Sequence, residues 1–243
     1  MDSYSEPTYN ERLADVYDQW FSSYTDAAID TLTKLAGTGR ALELGIGTGL
    51  VALPLAERGV EVHGVDSSPA MVSKLRAKPG GDSILVTMGD FADVAVEGEF
   101  SLVFVVFNTF FSLQSQKEQA RCFRNVAAHL APDGVFLIEA FVPDASLFTG
   151  ERSLKITAAT NDRVSLKVSE HDPVEQRIKS QHVVIRDGEI KLFPVEVRYA
   201  WPAELDLMAE LAGLKLVHRW GNWGQEKFSA GSEKHISVYD RIR

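Results

Sequence analysis

A single cysteine, Cys122, in 243 residues excludes an internal disulfide, and without a Cys-x-x-Cys pair there is no thiolate set to hold structural zinc. That usage fits a reducing cytoplasm, the expected location. Long apolar runs are also missing: none approaches the roughly 20 residues of a membrane-spanning helix, and Met1 to Asn10 is polar and acidic, unlike a secretory signal. A soluble chain with no membrane partner is expected. Positive charge is scarce too. Lys and Arg total 25 against 34 Asp and Glu, a formal charge of −9, so the basic clustering that binds a phosphate backbone is not there and no nucleic-acid partner is expected. Among the six histidines no His-Asp or paired-carboxylate spacing marks an acid–base pair. The catalytic base is therefore unassigned, and no metal site is expected. Internal repeats and low-complexity tracts are absent.

What is present describes an α/β domain, since 45% hydrophobic content in a chain of this length can bury a full core. From Arg40 to Ala140, apolar runs at Ala41 to Leu44, Val60 to Val65, Ile84 to Met88, Leu102 to Phe107 and Val135 to Ile138 alternate with amphipathic stretches. That is the pattern of a parallel sheet wrapped by helices. Leu50 to Arg58, Pro69 to Lys78 and Ser115 to Leu130 read as the helices, with Pro54 placed where an interior proline would lose a backbone bond. After Phe141 the period becomes two, and Asn161-Asp162 and Asp187-Gly188 are hairpin turn signals. Leu154 to Ala200 thus reads as a small antiparallel sheet. Trp201-Pro202 opens another helix that Gly213 ends, and strands follow at Leu214 to Trp220 and Lys234 to Ile242.

The densest signal is Ala41-Leu42-Glu43-Leu44-Gly45-Ile46-Gly47-Thr48-Gly49, with Asp66 closing the next apolar run. A strand that must turn into a helix with its backbone against a ligand selects glycine, and a carboxylate about 20 residues on can take both hydroxyls of a ribose. A nucleoside site follows. A dinucleotide fingerprint would carry its third glycine at the position of Leu50, so the spacing argues against that ligand.

The loop, with Glu43 before it, resembles the first motif of the class I S-adenosylmethionine-dependent methyltransferases. Ser67 to Met71 after Asp66, Gly89-Asp90-Phe91, and Leu130 to Gly134 are similar to that family's later motifs, in order, from Arg40 to Phe141. The resemblance implies a Rossmann-like seven-stranded, mostly parallel sheet flanked by helices, its last strand antiparallel, with the antiparallel sheet inserted after the fifth strand. It divides the chain into an N-terminal helical cover at 1–39, a core domain at 40–150 and 201–243, and the insertion at 151–200 as lid or dimer surface.

The resemblance also implies S-adenosylmethionine as cofactor. Gly45, Gly47 and Gly49 would lie against its amino acid part, Asp66 with Ser67 beside it would hold the ribose, and Met71 and Phe91 would sandwich the adenine. Asp90 would accept the adenine amino group, Glu43 would orient the ammonium through water, and Asn108 would contact the methionine part. Upstream, Tyr9, Tyr17, Trp20 and Tyr24 resemble the cover of small-molecule methyltransferases. Tyr17 and Trp20 are read as cofactor-side residues, Trp20 serving equally well as helix packing.

For the acceptor, Tyr9, Phe111, Glu139 and His182 are the candidates, set against core filling for the phenylalanines and a core-edge role for His182. Asn108-Thr109-Phe110-Phe111 lacks the prolines of the Asn-Pro-Pro-Tyr signature that base-modifying relatives carry there, which counts against a nucleobase. The expected activity is methyl transfer to nitrogen or oxygen of a small molecule, an amino sugar or another secondary metabolite, by a possible homodimer resembling the amino-sugar N,N-dimethyltransferases. The competing expectation is a cofactor-binding sensor or assembly protein without transferase activity.

Overall fold

The computed structural model describes residues 11–20, 24–93, 96–144 and 152–242, with the side chains of 11 and 12 excepted. Tyr9 lies outside the described residues. Five parallel strands form the centre: β1 (Ala41–Leu44), β2 (Val62–Asp66), β3 (Leu85–Met88), β4 (Phe100–Val105) and β5 (Leu130–Phe141). β1, β2 and most of β4 are buried on both faces, which is why their sequence is apolar without alternation. Four more strands, β6 (Arg152–Ala159), β7 (Arg163–Asp172), β8 (Arg177–Arg186) and β9 (Glu189–Arg198), make a separate antiparallel sheet, and β10 (Leu214–Trp220) and β11 (Lys234–Arg241) return to the first. The main sheet has the order β10-β11-β5-β4-β1-β2-β3. β11 runs antiparallel to both β5 and β10, as expected of the last strand.

Strand order reverses between β1 and β4, which are direct neighbours. In an open α/β sheet that reversal opens a crevice outside the carboxyl ends of the strands, and ligands bind there. One face of the sheet is covered by α2 (Asp26–Ala36) and α3 (Ala52–Glu57), the other by α5 (Gln116–His129) and α6 (Pro202–Leu211). Local sequence sets the helix starts. Ser115 caps α5 by accepting from the Glu118 N–H at 3.2 Å, and its hydroxyl donates to the Glu118 carboxylate at 3.0 Å, a serine N-cap. Ser68 caps α4 (Pro69–Arg76), with proline at its first position.

Pro54 needs a correction. It occupies the third residue of α3, inside the first turn, where backbone N–H groups have no intrahelical partner and the missing donor is not felt. β5 is also longer than its apolar run, because Leu130 to Gly134 are drawn into it and register shifts beside Phe100. In the inserted sheet, Asp187 and Gly188 have φ of 52° and 81°, the two left-handed residues of a tight hairpin turn. The base of this sheet is fastened to the core through Arg198: its guanidinium donates to Gln119 Oε1 at 2.6 Å and pairs with Glu204 at 2.7 Å.

The first helix, α1 (Glu11–Trp20), lies over α4 and against the inserted sheet, with Leu13, Ala14 and Tyr17 packed on Met71 and Phe193. Polar contacts hold it. Asp18 accepts from the Thr48 hydroxyl at 2.5 Å and pairs with Lys78 at 2.6 Å, and Asp15 pairs with Lys74 at 2.6 Å.

Candidate active site

At the carboxyl end of β1 the chain turns with Gly45, Gly47 and Gly49 at φ of 76°, 55° and 77°, conformations that side chains strain. Space is tight as well. A Cβ at Gly45 would sit 2.5 Å from Thr109 Cγ2, and one at Gly47 would sit 3.2 Å from Met71 Cε. Asp66, last residue of β2, accepts from the Gly47 N–H at 2.7 Å and the Ser68 N–H at 2.8 Å, tying the loop to the neighbouring strand. Burial raises its pKa, while the N–H groups of Ser68, Gly47 and Ser67 pull it back. A carboxylate offers about four lone-pair sites, so these three donors leave room for a further one.

Glu43 lies fully inside β1. Burial first, and the negative charge of Asp66 second, hold its carboxyl well above the usual carboxylate range, and its Oε2 has no partner among the described residues. A buried acceptor without a donor is what an ammonium, or a water bound to one, would satisfy. Loop, Asp66 and orphaned Glu43 oxygen together fit an amino acid joined to a nucleoside.

Met71 is buried beside Gly47 and covered by Tyr17 of α1. Phe91 is buried with the Gly45 turn near its ring, and exposed Asp90 accepts from the Ala92 N–H at 2.8 Å. Trp20 stands on the inserted sheet, 4.4 Å edge-on from the Phe193 ring and 6.2 Å from His182. It thus packs against the insertion and the cluster that holds Tyr17 and Met71. Phe111 is fully buried, its ring 5.0 Å from Phe141. Asn108 has φ of 64° and accepts from the Phe141 N–H at 2.7 Å, so the exit of β4 is stitched to the end of β5.

Glu139 forms the hub of the second half of the crevice. Its Oε2 accepts from the Tyr24 hydroxyl and from the Phe107 N–H at 3.2 Å, and its Oε1 from Trp223 Nε1 at 3.1 Å and Lys234 Nζ at 3.0 Å. The Tyr24 hydroxyl is kept protonated, by burial above all and by the Glu139 charge next. Phe107, at φ of 55°, is held by this carboxylate in a conformation a phenylalanine rarely adopts. A cavity of about 390 Å³ opens here, lined by Glu139, Tyr24, Phe107, Asn108, Phe141, Trp223 and Lys234 among others.

Trp223 and His235 stand out in the sequence as C-terminal residues that could contribute, but Lys234 and the roles of Tyr24 and Trp223 are not identifiable from sequence motifs, because the four donors come from separate parts of the chain. His235 lies elsewhere. It pairs in register with Ala140, on the sheet face opposite Glu139, and donates to or accepts from Ser237 at 2.8 Å.

Residues 41–134 match a family described as methyltransferase domain. Over nearly its whole length the chain is similar to the CcbJ methyltransferase of Streptomyces caelestis, at 40% identity and a TM-score of 0.91, covering 99% of this chain and 100% of that one. It is 29% identical to the cypemycin N-terminal methyltransferase of a Streptomyces species, covering 98% and 99% of the two. The SAM-bound amino pentose methyltransferase CalS10 of Micromonospora echinaspora shares the fold, with a TM-score of 0.70 at 22% identity and coverage of 98% and 100%. The glycine turn, the paired carboxylates and this likeness across the full length place the chain in the class I S-adenosylmethionine-dependent methyltransferases.

Proposed function

We propose that this enzyme methylates an amine nitrogen of a small polar acceptor, bound in the cavity between the ends of β4 and β5. The observation that carries the reading is the combination of the Glu139 carboxylate with the rings of Tyr24, Phe107 and Trp223 around one space of about 390 Å³. That volume suits a small molecule. Aromatic faces favour a cation, and an amine is cationic both before it sheds its proton and after it has gained a methyl group; the Glu139 carboxylate, already matched by Lys234, holds those rings around the space. Similarity to an N-terminal methyltransferase and to an amino pentose methyltransferase supports nitrogen as the acceptor atom.

When bound, the cofactor supplies a methyl group on an electrophilic sulfonium. The chain's own residues orient and enclose. Asp66 anchors the ribose hydroxyls, and Glu43 holds the ammonium. The Asn108 and Glu139 bonds to Phe141 and Phe107 fix the strand ends between which the two reactants meet, since an in-line displacement gains most of its rate from placement. α1 excludes water from above. Incubation with labelled cofactor and a panel of amines, amino sugars and phenols should label amines. Label found only on phenols would overturn the assignment.

Assembly follows from the inserted sheet. Its outer face carries Leu154, Ile156, Val164, Val168, Ile185, Ile190 and Leu192, all exposed and brought to one side by the strand registers. Four strands at roughly 4.8 Å spacing and about nine residues long present about 600 Å², so two copies face to face bury about 1,200 Å², the lower bound of a specific dimer. Two copies of the chain pair through this face.

A further inference from the structure

Four donors meet the buried Glu139 carboxylate, and three of them are built into the fold. The Phe107 N–H belongs to the backbone, and Trp223 is buried. The Tyr24 hydroxyl is steadied by its ring, packed edge-on at 4.4 Å from Phe107 and 5.5 Å from Trp223. Lys234 differs. It is the first residue of β11 and stands opposite Phe141, while Glu139 pairs with Ile236, so the lysine reaches the carboxylate on the diagonal, as a long side chain can. Its Nζ is 3.0 Å from Oε1, with the lysine side chain 46% exposed against 8% for Glu139. A half-exposed ammonium on a flexible stem leaves its partner at small cost.

Charge around the cavity is also uneven. Among the described residues that line it, the charged ones are Glu139, Glu233 and Lys234, two carboxylates against one ammonium. Glu233 has no ion pair among the described residues. The cavity therefore carries one negative charge to spare, and a second carboxylate lies next in sequence to the one mobile donor. With the other three donors fixed, the place that Lys234 fills on Oε1 is the place an incoming ammonium can take.

We propose that Lys234 is a specificity-determining residue: its ammonium holds the place of the acceptor's own ammonium on Glu139 and swings toward Glu233 when a cationic acceptor enters. The proposal rests on the reading that this cavity takes the amine. An uncharged acceptor cannot make the exchange, since expelling the lysine for it would leave a buried carboxylate without its cation. The acceptor is captured in the charged form it has in water, and the exchange concerns that capture alone.

The full-length chain, saturated with S-adenosylhomocysteine, is titrated by calorimetry with ethylammonium chloride at fixed ionic strength, beside Lys234→Met and Lys234→Arg. Saturation with S-adenosylhomocysteine shows that each variant is folded. Lys234→Met removes the competitor and keeps an apolar stem, so it should bind ethylammonium about two- to fivefold tighter than the parent, the factor set by a partly exposed ion pair. Lys234→Arg restores a cation and should bring the affinity back to the parent's or below, because its fork grips a carboxylate more firmly. Tighter binding in the methionine variant alone upholds the exchange. Equal or weaker binding in Lys234→Met, or equal tightening in Lys234→Arg, would overturn it. Saturable ethylammonium binding by none of the three chains would remove the reading of the cavity as an amine site, a result distinguishable from indifference to residue 234.

Discussion

At Glu43, burial and the nearby Asp66 both favour the neutral carboxyl, so ionising it works against the folded chain. Because the folded-state pKa is raised, the group's contribution to stability is fully present below the ordinary carboxylate pKa and is lost as pH rises through the folded value. Glu43→Gln keeps the shape and removes that loss. The variant's melting temperature should exceed that of the parent by a margin that widens from pH 5 to pH 8, while its affinity for S-adenosylhomocysteine falls; a margin constant with pH would show that Glu43 is not the titrating group. Burial raises the Asp66 pKa too, but its N–H donors from Gly47 and Ser68 oppose the shift. Asp66→Ala should weaken S-adenosylhomocysteine binding by roughly 1 to 3 kcal/mol, the range for removing a charged hydrogen-bond partner, and calorimetry finding equal affinities would remove it from the ribose site. Both residues were legible in the sequence, since the turn and the two strand ends they occupy are encoded within a span of 24 residues. Glu139 was legible only as a strand-end carboxylate. Its partners Tyr24, Phe107, Trp223 and Lys234 come from distant parts of the chain, and no local pattern records that they meet.

We propose α1 as the element that gates the cofactor, and Asp18 ties it to the glycine loop. Asp18 joins the buried Thr48 hydroxyl to Lys78 of the segment after α4, and Tyr17 lies on Met71 from the same side. Its ion pair is partly exposed, so its worth is modest, about 0.5 to 1 kcal/mol. Asp18→Ala should therefore release S-adenosylhomocysteine two- to fivefold faster in stopped-flow measurements, by the conversion of that energy to a rate ratio, with circular dichroism unchanged. An unaltered release rate would mean that α1 does not gate the site. The parallel strands of the core could be read in advance because strands buried on both faces are written as unbroken apolar runs. β6 to β9 were readable as an antiparallel sheet from their alternation, but which residues share a row was not, because that depends on register. The bulge between Ile156 and Ala158 alone shifts the pairing of β6 by one residue. Pro54 misled for the related reason that its effect depends on where the first turn of α3 begins.

For the whole molecule, the inserted sheet is a part with two unlike faces. The inner one packs on α1 and the core; the outer one leaves Leu154 at 67%, Ile156 at 66% and Ile190 at 66% exposure. A contiguous apolar patch of several hundred Å² on a protein surface marks an interaction site, and here rows such as Ile156, Leu166, Val183 and Leu192 run across all four strands without a charge. A surface with no charge pattern is compatible with its own copy in either orientation, which a two-fold axis requires. Burying it twice removes about 1,200 Å² from water. Sedimentation velocity should then report a dimer at micromolar concentration, and Leu154→Lys with Ile190→Glu should shift it to monomer, because each substitution buries an unmatched charge in the contact. S-adenosylhomocysteine affinity should survive that change, since the outer face lies across the sheet from every residue assigned to the cofactor. A parent chain that sediments as a monomer would leave the patch as a surface for some other apolar partner, and loss of cofactor affinity in the double variant would mean that the two faces are coupled through the sheet.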